Sequence, residues 1–594
     1  MGALPHAEGI AFRVWAPHAD AVFVTGSFND WSEEATPMSA EANGTWFADV
    51  AGAKTGDEYR FLIHNGAARL SRIDPYARAV TSSVGNSIVV VAPAPAGAAF
   101  DTPPWNRLVI YEMHVGTFHR PADEEEPGTF EDAIAKLAHL RRLGVNAVQV
   151  MPAAEFAGDL SWGYNPAHIF AVETTYGGPD GFRAFIEAAH TADIAVILDV
   201  VYNHFGPSDL DLWQFDGWSE NGNGGIYFYN DWKSETPWGN TRPVYGRGEV
   251  RQFIRNNALF WLQEYGLDGL RFDMTLYIRN VRGNEEDPGD AIAEGWNLMQ
   301  WVNGEIAGYF PGRITIAEDL RNKAALTAPA EADGAGFGAQ WDSQFVHPIR
   351  EVLIAPDDAH RHMGTVAHAL IHHYNGDPFQ RVIYTESHDE VANGKARVPH
   401  EIAPGDPAHW AAQKRSTLGA ALVLTAPGIP MLFQGQEFLQ GEWFRDTVPL
   451  DWDQSQEFHG IVRLWRDLIR LRLDRAGVSA GLCGCGVRVH RIDEEKKLVA
   501  FHRWDQGGPG DDVVVVASFA HQPRGVYRIG FPKPGTWRLR LNTDWQGYSD
   551  DFQGFTSDDV EAVEQACDGM AWSAEVAVGA YSALIFSQDR QGVG

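Results

Sequence analysis

The chain has 594 residues, 44% of them hydrophobic and 21% charged, a composition ordinary for a folded globular protein and a length too great for one ordinary domain. Its 79 Asp and Glu outnumber 47 Lys and Arg, for a formal charge of −32. That balance argues against a nucleic-acid or anionic-membrane partner, because phosphate binding needs clustered cations. Cys483, Cys485 and Cys567 form no regular framework and point to a reducing compartment. Cys483 and Cys485 are separated only by Gly484, the wrong spacing for a zinc site. No metal and no organic cofactor are expected. No apolar stretch reaches transmembrane length, and the first eight residues lack the basic and apolar regions of a signal peptide. A cytoplasmic location is expected. The acidic run Asp123-Glu124-Glu125-Glu126 reads as a solvated loop.

In chain order, residues 11–16, 21–25, 44–47 and 58–63 alternate apolar and polar positions between turn residues. Period-2 patterning of this kind predicts an N-terminal β-sandwich over 1–98. An Ala- and Pro-rich linker follows at 92–104. From there the pattern changes. Residues 108–115 read as an apolar strand, and Phe130, Ile134, Leu137 and Leu140 mark a helix over 130–143. Further strands are predicted at 144–151, 194–200, up to Asp273, 313–318, weakly at 337–341, 381–386 and 429–434, with helices near 182–191 and 250–265. Eight strands with intervening helices predict a (β/α)₈ barrel over 99–485. An insertion at about 205–247, rich in Gly, Asn, Trp and Tyr, interrupts the repeat and is expected beside the functional site. Residues 498–503, 512–518, 535–540 and 583–586 return to β and predict a C-terminal antiparallel sandwich over 486–594.

Four segments carry the chemistry: Asp199-Val200-Val201-Tyr202-Asn203-His204, Gly269-Leu270-Arg271-Phe272-Asp273, Ile316-Ala317-Glu318-Asp319 and Glu386-Ser387-His388-Asp389. Each sets a carboxylate at the end of an apolar run. A barrel builds its active site from the C-terminal ends of such strands, and retaining glycoside cleavage needs two carboxylates around one bond. Taken singly, Arg271 beside Asp273 would be an ordinary structural ion pair, and each histidine a satisfied core residue.

Together, in this order, the segments resemble the signature regions of the α-amylase superfamily of retaining glycoside hydrolases and transglycosylases. The resemblance covers nearly the whole chain and implies no cofactor. It implies that Asp273 is the nucleophile, Glu318 the general acid and base, and Asp389 the group that holds the hydroxyls of the distorted sugar. Arg271 would hold the Asp273 pKa low, Asp199 would be a structural carboxylate beside it, and His204 and His388 would hydrogen-bond sugar hydroxyls. Tyr164, in Trp162-Gly163-Tyr164-Asn165, matches the aromatic platform under the cleaved sugar. Asn203 matches a position that ligates calcium in many α-amylases; a side-chain hydrogen bond is the preferred expectation here.

Phe12-Arg13-Val14-Trp15-Ala16-Pro17 and Gly26-Ser27-Phe28-Asn29-Asp30-Trp31 resemble the starch-binding-type module of branching and debranching enzymes. Ser387-His388-Asp389-Glu390-Val391, Gly394-Lys395, Gly435-Gln436-Glu437-Phe438, Glu442-Trp443 and Leu450-Asp451-Trp452 are similar to glycogen branching enzymes. Those enzymes transfer α-1,4 chains to a 6-hydroxyl. Tyr111-Glu112-Met113-His114-Val115-Gly116-Thr117 is shared with the hydrolases that release trehalose from malto-oligosyltrehalose. Branching is the expected activity, α-glucan hydrolysis the alternative, and a non-catalytic glucan-binding scaffold the reading from another class. Met274-Thr275-Leu276 departs from the Ala-Val that branching enzymes carry after the nucleophile. The partner implied is an α-1,4-glucan (malto-oligosaccharide, amylose or glycogen) bound by a monomer or small homo-oligomer. Trp443, Trp452 and the insertion aromatics between Trp213 and Trp238 are expected to line the donor or acceptor cleft.

Overall fold

A computed structural model describes residues 1–91, 100–120, 126–206 and 209–590. Most of the expected linker, 92–99, and Asp123, Glu124 and Glu125 of the acidic run lie outside the described residues.

The N-terminal part is two four-stranded sheets. One pairs Gly2–His6, Gly9–Trp15, Thr45–Ala51 and Ser39–Ala40; the other pairs Ala21–Gly26, Glu58–Asn65, Ala68–Arg72 and Ser87–Ile88. Alternation decides what is buried: Ile10, Phe12 and Val14 of one sheet meet Val22, Val24, Tyr59, Phe61 and Ile63 of the other. This sandwich is fixed to the rest of the chain by polar contacts. Arg78 pairs with Glu264 at 2.6 Å, and Arg72 donates its Nε–H to the Phe215 carbonyl at 3.0 Å. The insertion is therefore held between sandwich and barrel.

Eight parallel strands close into a barrel: Ile110–Met113, Ala147–Val150, Ala195–Val200, Gly269–Phe272, Ile314–Ala317, Ala339–Trp341, Arg381–Ile383 and Ile429–Phe433. The strands are buried on both faces, hence their continuous apolar character. Period-2 alternation sorts their side chains. Ile110, Ala147, Ala195, Ile197, Ile314, Ile316, Ala339 and Trp341 form one cluster, inside the barrel. Tyr111, Val148, Val196, Leu198, Leu270 and Ala317 join the larger core beneath the helices. The helix expected over 130–143 is two, Phe130–Ile134 and Leu137–Leu143, with a break at Ala135 and Lys136.

The C-terminal part is an eight-stranded antiparallel path beginning at Gly486–Asp493 and including Leu498–Trp504, Val513–Ser518 and Ser582–Ser587. On its strands 498–504, 513–518 and 582–587 the even-numbered Leu498, Val514, Val516, Leu584 and Phe586 pack within the domain. The odd-numbered Val499, Phe501, Val513, Val515 and Ile585 join the barrel's core. The buried Lys414–Asp544 pair, at 2.6 Å, ties this domain to a barrel helix. Cys483, Cys485 and Cys567 are free thiols. No helix among the described residues is long and apolar enough to cross a membrane.

Candidate active site

The alternation that packs the barrel interior delivers the acidic side chains to its mouth. Asp199 continues the phase of Ala195 and Ile197, Arg271 and Asp273 that of Gly269, and Glu318 that of Ile314 and Ile316. The three carboxylates converge on the Arg271 guanidinium. Arg271 Nη1 reaches Asp199 Oδ1 and Oδ2 at 2.7 and 2.6 Å and Asp273 Oδ1 at 2.9 Å. Its Nη2 stands 2.8 Å from Glu318 Oε2 as an ion-pair contact without hydrogen-bond alignment. Arg271 itself is fully buried and lies 4.4 Å over the Trp341 ring.

One cation among three buried carboxylates cannot neutralise them all. Burial pushes the Glu318 carboxyl up to about 8; Arg271 opposes the rise, and the charges of Asp273 and Asp389 add to it. The expectation of a depressed Asp273 pKa is corrected: burial raises it to about 6, against Arg271 and with help from Asp199. The guanidinium is shared, so its stabilisation of any one partner is diluted. The two carboxyls nevertheless separate in the sense the chemistry needs, one ionised and one protonated near neutrality.

Hydrogen bonds orient the pair. Asn203 Nδ2 donates to Asp273 Oδ2 at 2.7 Å, and the Met274 N–H donates to Glu318 Oε2 at 2.9 Å. Glu318 Oε1 has no protein partner, which leaves it available to a substrate oxygen. Met274 makes its bond from a left-handed backbone, φ 36°, unusual for a residue with a side chain. The Asn203 side-chain oxygen bonds to His204 Nδ1. Both ends of the Asn203 amide are thus engaged within the site.

Asp273, Met274, Tyr164, His204, His388 and Asp389 line one cleft of about 450 Å³, together with Trp162 and Trp238. Tyr164 donates its hydroxyl to Asp199 Oδ2 at 2.6 Å and stacks on His388 at 5.0 Å. Asp389 is the most open of the acids, its side chain 40% exposed and 3.8 Å from His388 Nε2. Burial lowers His204 to about 4, leaving a neutral imidazole, and Trp238 stacks on it at 4.7 Å.

His388 differs. Burial would lower its pKa, but the adjacent charge of Glu112, with that of Asp389, raises it to about 9. Glu112 takes the His388 backbone N–H at 3.0 Å and Nδ1–H at 2.7 Å. Glu112 is a site residue that motif reading missed. Its signal was present, since it follows Ile110 in the interior-facing phase of the first barrel strand.

The tryptophan expectations divide. Trp238 lines the cleft. Trp213 and Trp218 do not: both pack against the core, and Trp218 stacks on His18 of the N-terminal sandwich at 4.5 Å. Trp452, expected to bind substrate, lies outside the cleft lining and is packed. Its Nε1–H donates to the Phe118 carbonyl at 2.7 Å, its ring meets Phe118 and Phe438, and Lys136 lies 4.3 Å over it. Trp443 is half-exposed under Arg445 and outside the cleft lining, although its neighbour Phe444 packs on Trp162.

Comparison with known proteins agrees with this fold. Residues 1–77 match carbohydrate-binding module 48 (isoamylase N-terminal domain), 116–234 the α-amylase catalytic domain, and 489–589 the α-amylase C-terminal all-beta domain. A 1,4-alpha-glucan branching enzyme of Corynebacterium jeikeium is 31% identical over 606 residues, covering 97% of this chain and 82% of that protein. One from Roseobacter denitrificans is 32% identical, covering 98% and 82%. Among solved structures, a putative alpha amylase from Salmonella typhimurium superposes with a TM-score of 0.73 at 24% identity, covering 99% of both chains. A pullulanase from Anoxybacillus sp. LM18-11, complexed with maltotetraose, gives 0.76 at 22%, covering 99% of this chain and 87% of its own. The chain belongs to the α-amylase superfamily and, within it, to the family of 1,4-α-glucan branching enzymes.

Proposed function

We propose that the protein is a 1,4-α-glucan branching enzyme that works through a covalent glucosyl ester. The observation that carries the chemistry is the shared Arg271, which brings Asp273 and Glu318 side by side, while burial raises Glu318 to about 8 and Asp273 only to about 6. An α-1,4-glucan enters the cleft with a sugar face on Tyr164. Asp273 attacks the anomeric carbon while Glu318 gives its proton to the departing 4-oxygen. Retention requires the two carboxyls about 5–5.5 Å apart, and a common guanidinium partner supports so short a separation. Glu318, now ionised, removes the proton from an acceptor 6-hydroxyl, which displaces Asp273 and creates the α-1,6 branch. Asp389 and the positively charged His388 hold ring hydroxyls as charge develops at the anomeric carbon. The similarity to branching enzymes at 31% and 32% identity supports sugar rather than water as the acceptor. A cytoplasmic setting, where such glucans are made, belongs to the same proposal.

Amylose incubation tests it. Iodine colour should fall without a matching rise in reducing ends, and α-1,6 signals should appear in the proton NMR spectrum. Reducing ends in step with colour loss would make the enzyme a hydrolase, and free trehalose from malto-oligosyltrehalose would make it a trehalohydrolase. No change in either substrate would leave only the scaffold reading.

A further inference from the structure

At the end of the barrel opposite the carboxylates, four arginines meet around one cavity. Arg142 lies in the last turn of the helix Leu137–Leu143, and Arg470 in the last turn of His459–Arg472. Barrel helices run back against the strands, so these turns sit at the strands' N-terminal ends, away from the glucan cleft. With Arg466, Arg475, Leu143 and Gly144 they line an open surface cavity of about 260 Å³, and all four arginines are exposed. That is near the lower end for small-ligand pockets, roughly 300–1,000 Å³.

The charge of this cavity is one-sided. No acidic residue lines it, in a chain with 79 acids against 47 bases. Arg475 donates Nη2–H to the Gly144 carbonyl at 3.0 Å, and Arg466 has Asp467 at 3.6 Å. Arg142 and Arg470 make no ion pair or side-chain hydrogen bond with the described residues. The adjacent Arg141, by contrast, faces Asp193 at 3.4 Å. Helix dipoles favour a cation at each of these C-termini. They do not account for four arginines lining one cavity, where like charges repel. A bound anion removes that repulsion. Gly144 closes the helix Leu137–Leu143 with a left-handed φ of +104°, and a Cβ there would come within 3.2 Å of Ile469.

We propose that this cavity binds the phosphoryl group of a small compound, at a site separate from the glucan cleft. Guanidinium forks match phosphate oxygens in bidentate fashion and stay charged at any working pH. Free phosphate and a phosphorylated hexose share this chemistry. Either would bridge the first and last barrel helices and raise the unfolding temperature by mass action.

Calorimetric titration of the full chain at constant ionic strength tests the site, with inorganic phosphate, glucose 6-phosphate and plain glucose as probes. The expected result is saturable one-to-one binding of a phosphorylated probe, no response to glucose, and a rise in Tm. Tighter binding of glucose 6-phosphate assigns a sugar phosphate; equal affinities assign the phosphoryl group alone. The double variant Arg142→Ser/Arg470→Ser should bind at least about tenfold more weakly for each guanidinium lost, with glucan turnover unchanged. Arg142→Lys/Arg470→Lys keeps the charge but not the forks and should fall between; it decides the matter if the serine variant does not fold. Absence of saturable binding, or one affinity for the native chain and the lysine variant together with any folded serine variant, overturns the proposal.

Discussion

Arg271 sets the chemistry of the site by being shared. Burial raises the carboxyls of Asp273 and Glu318 to about 6 and about 8, and Arg271, shared with Asp199, offsets only part of that rise. We predict a bell-shaped pH profile of kcat/KM, with limbs near about 6 and about 8, because Asp273 must be ionised and Glu318 protonated. A profile flat from about pH 5 to about pH 9 contradicts the assignment. Stability follows with its own sign. The folded-state pKa of Glu318, about 8, lies above its ordinary 4.5, so the folded protein binds the extra proton between those values. Its contribution is complete below pH 4.5 and is lost as pH rises through about 8. Thermal unfolding of Glu318→Gln should therefore lose less Tm than the native chain between pH 5 and pH 8, a window of about 1.36 kcal/mol for each pKa unit at a single site. Equal losses would show that Glu318 is ionised throughout. Asn203 bears on metal dependence. With Nδ2 on Asp273 and Oδ1 on His204, its amide is engaged within the site. Dialysis against EDTA should leave the rate unchanged, and a loss restored by calcium would refute this.

The elements around the site were legible in the sequence to different degrees. Barrel strands announce themselves because burial on both faces makes them continuously apolar, and the acidic motifs sit at their ends. What strand reading could not supply was the partner of each acid across the barrel, such as Glu112 for His388. That pairing joins residues 276 positions apart. Four C-terminal strands, Gly486–Asp493, Arg524–Phe531, Val560–Cys567 and Met570–Val578, lie outside the segments that the sequence pattern predicts as strands. They are edge or half-exposed strands, where the apolar signal is diluted. Loop tryptophans were the least legible, because a flat indole suits both a sugar face and a core. Trp452→Ala should lower stability by about 3 kcal/mol, as removal of a packed aromatic does, and leave the product profile intact. Trp238→Ala should raise KM or shift chain-length preference with little change in Tm. Unfolding curves and product chain-length analysis on the two variants separate these outcomes, and the reverse pattern would reverse the two assignments.

At the scale of the molecule, a barrel carries an antiparallel domain at each end of its sequence, and the three share one apolar core. Val499, Phe501 and Ile585 of the C-terminal domain and Phe12 and Tyr59 of the N-terminal sandwich belong to the same cluster as the barrel helices. The flanking domains therefore fix the barrel's outer surface, while the chemistry rests on side chains that the barrel interior presents at its mouth. The central claim is that Asp273 becomes covalently bonded to sugar. Glu318→Gln incubated with α-maltosyl fluoride tests it most directly. Fluoride leaves without acid assistance, whereas release of the ester needs the missing base, so the intermediate should accumulate. Peptide mass spectrometry should find the added maltosyl mass on Asp273. An adduct on another residue, or no adduct with a β-configured first product, would contradict the account.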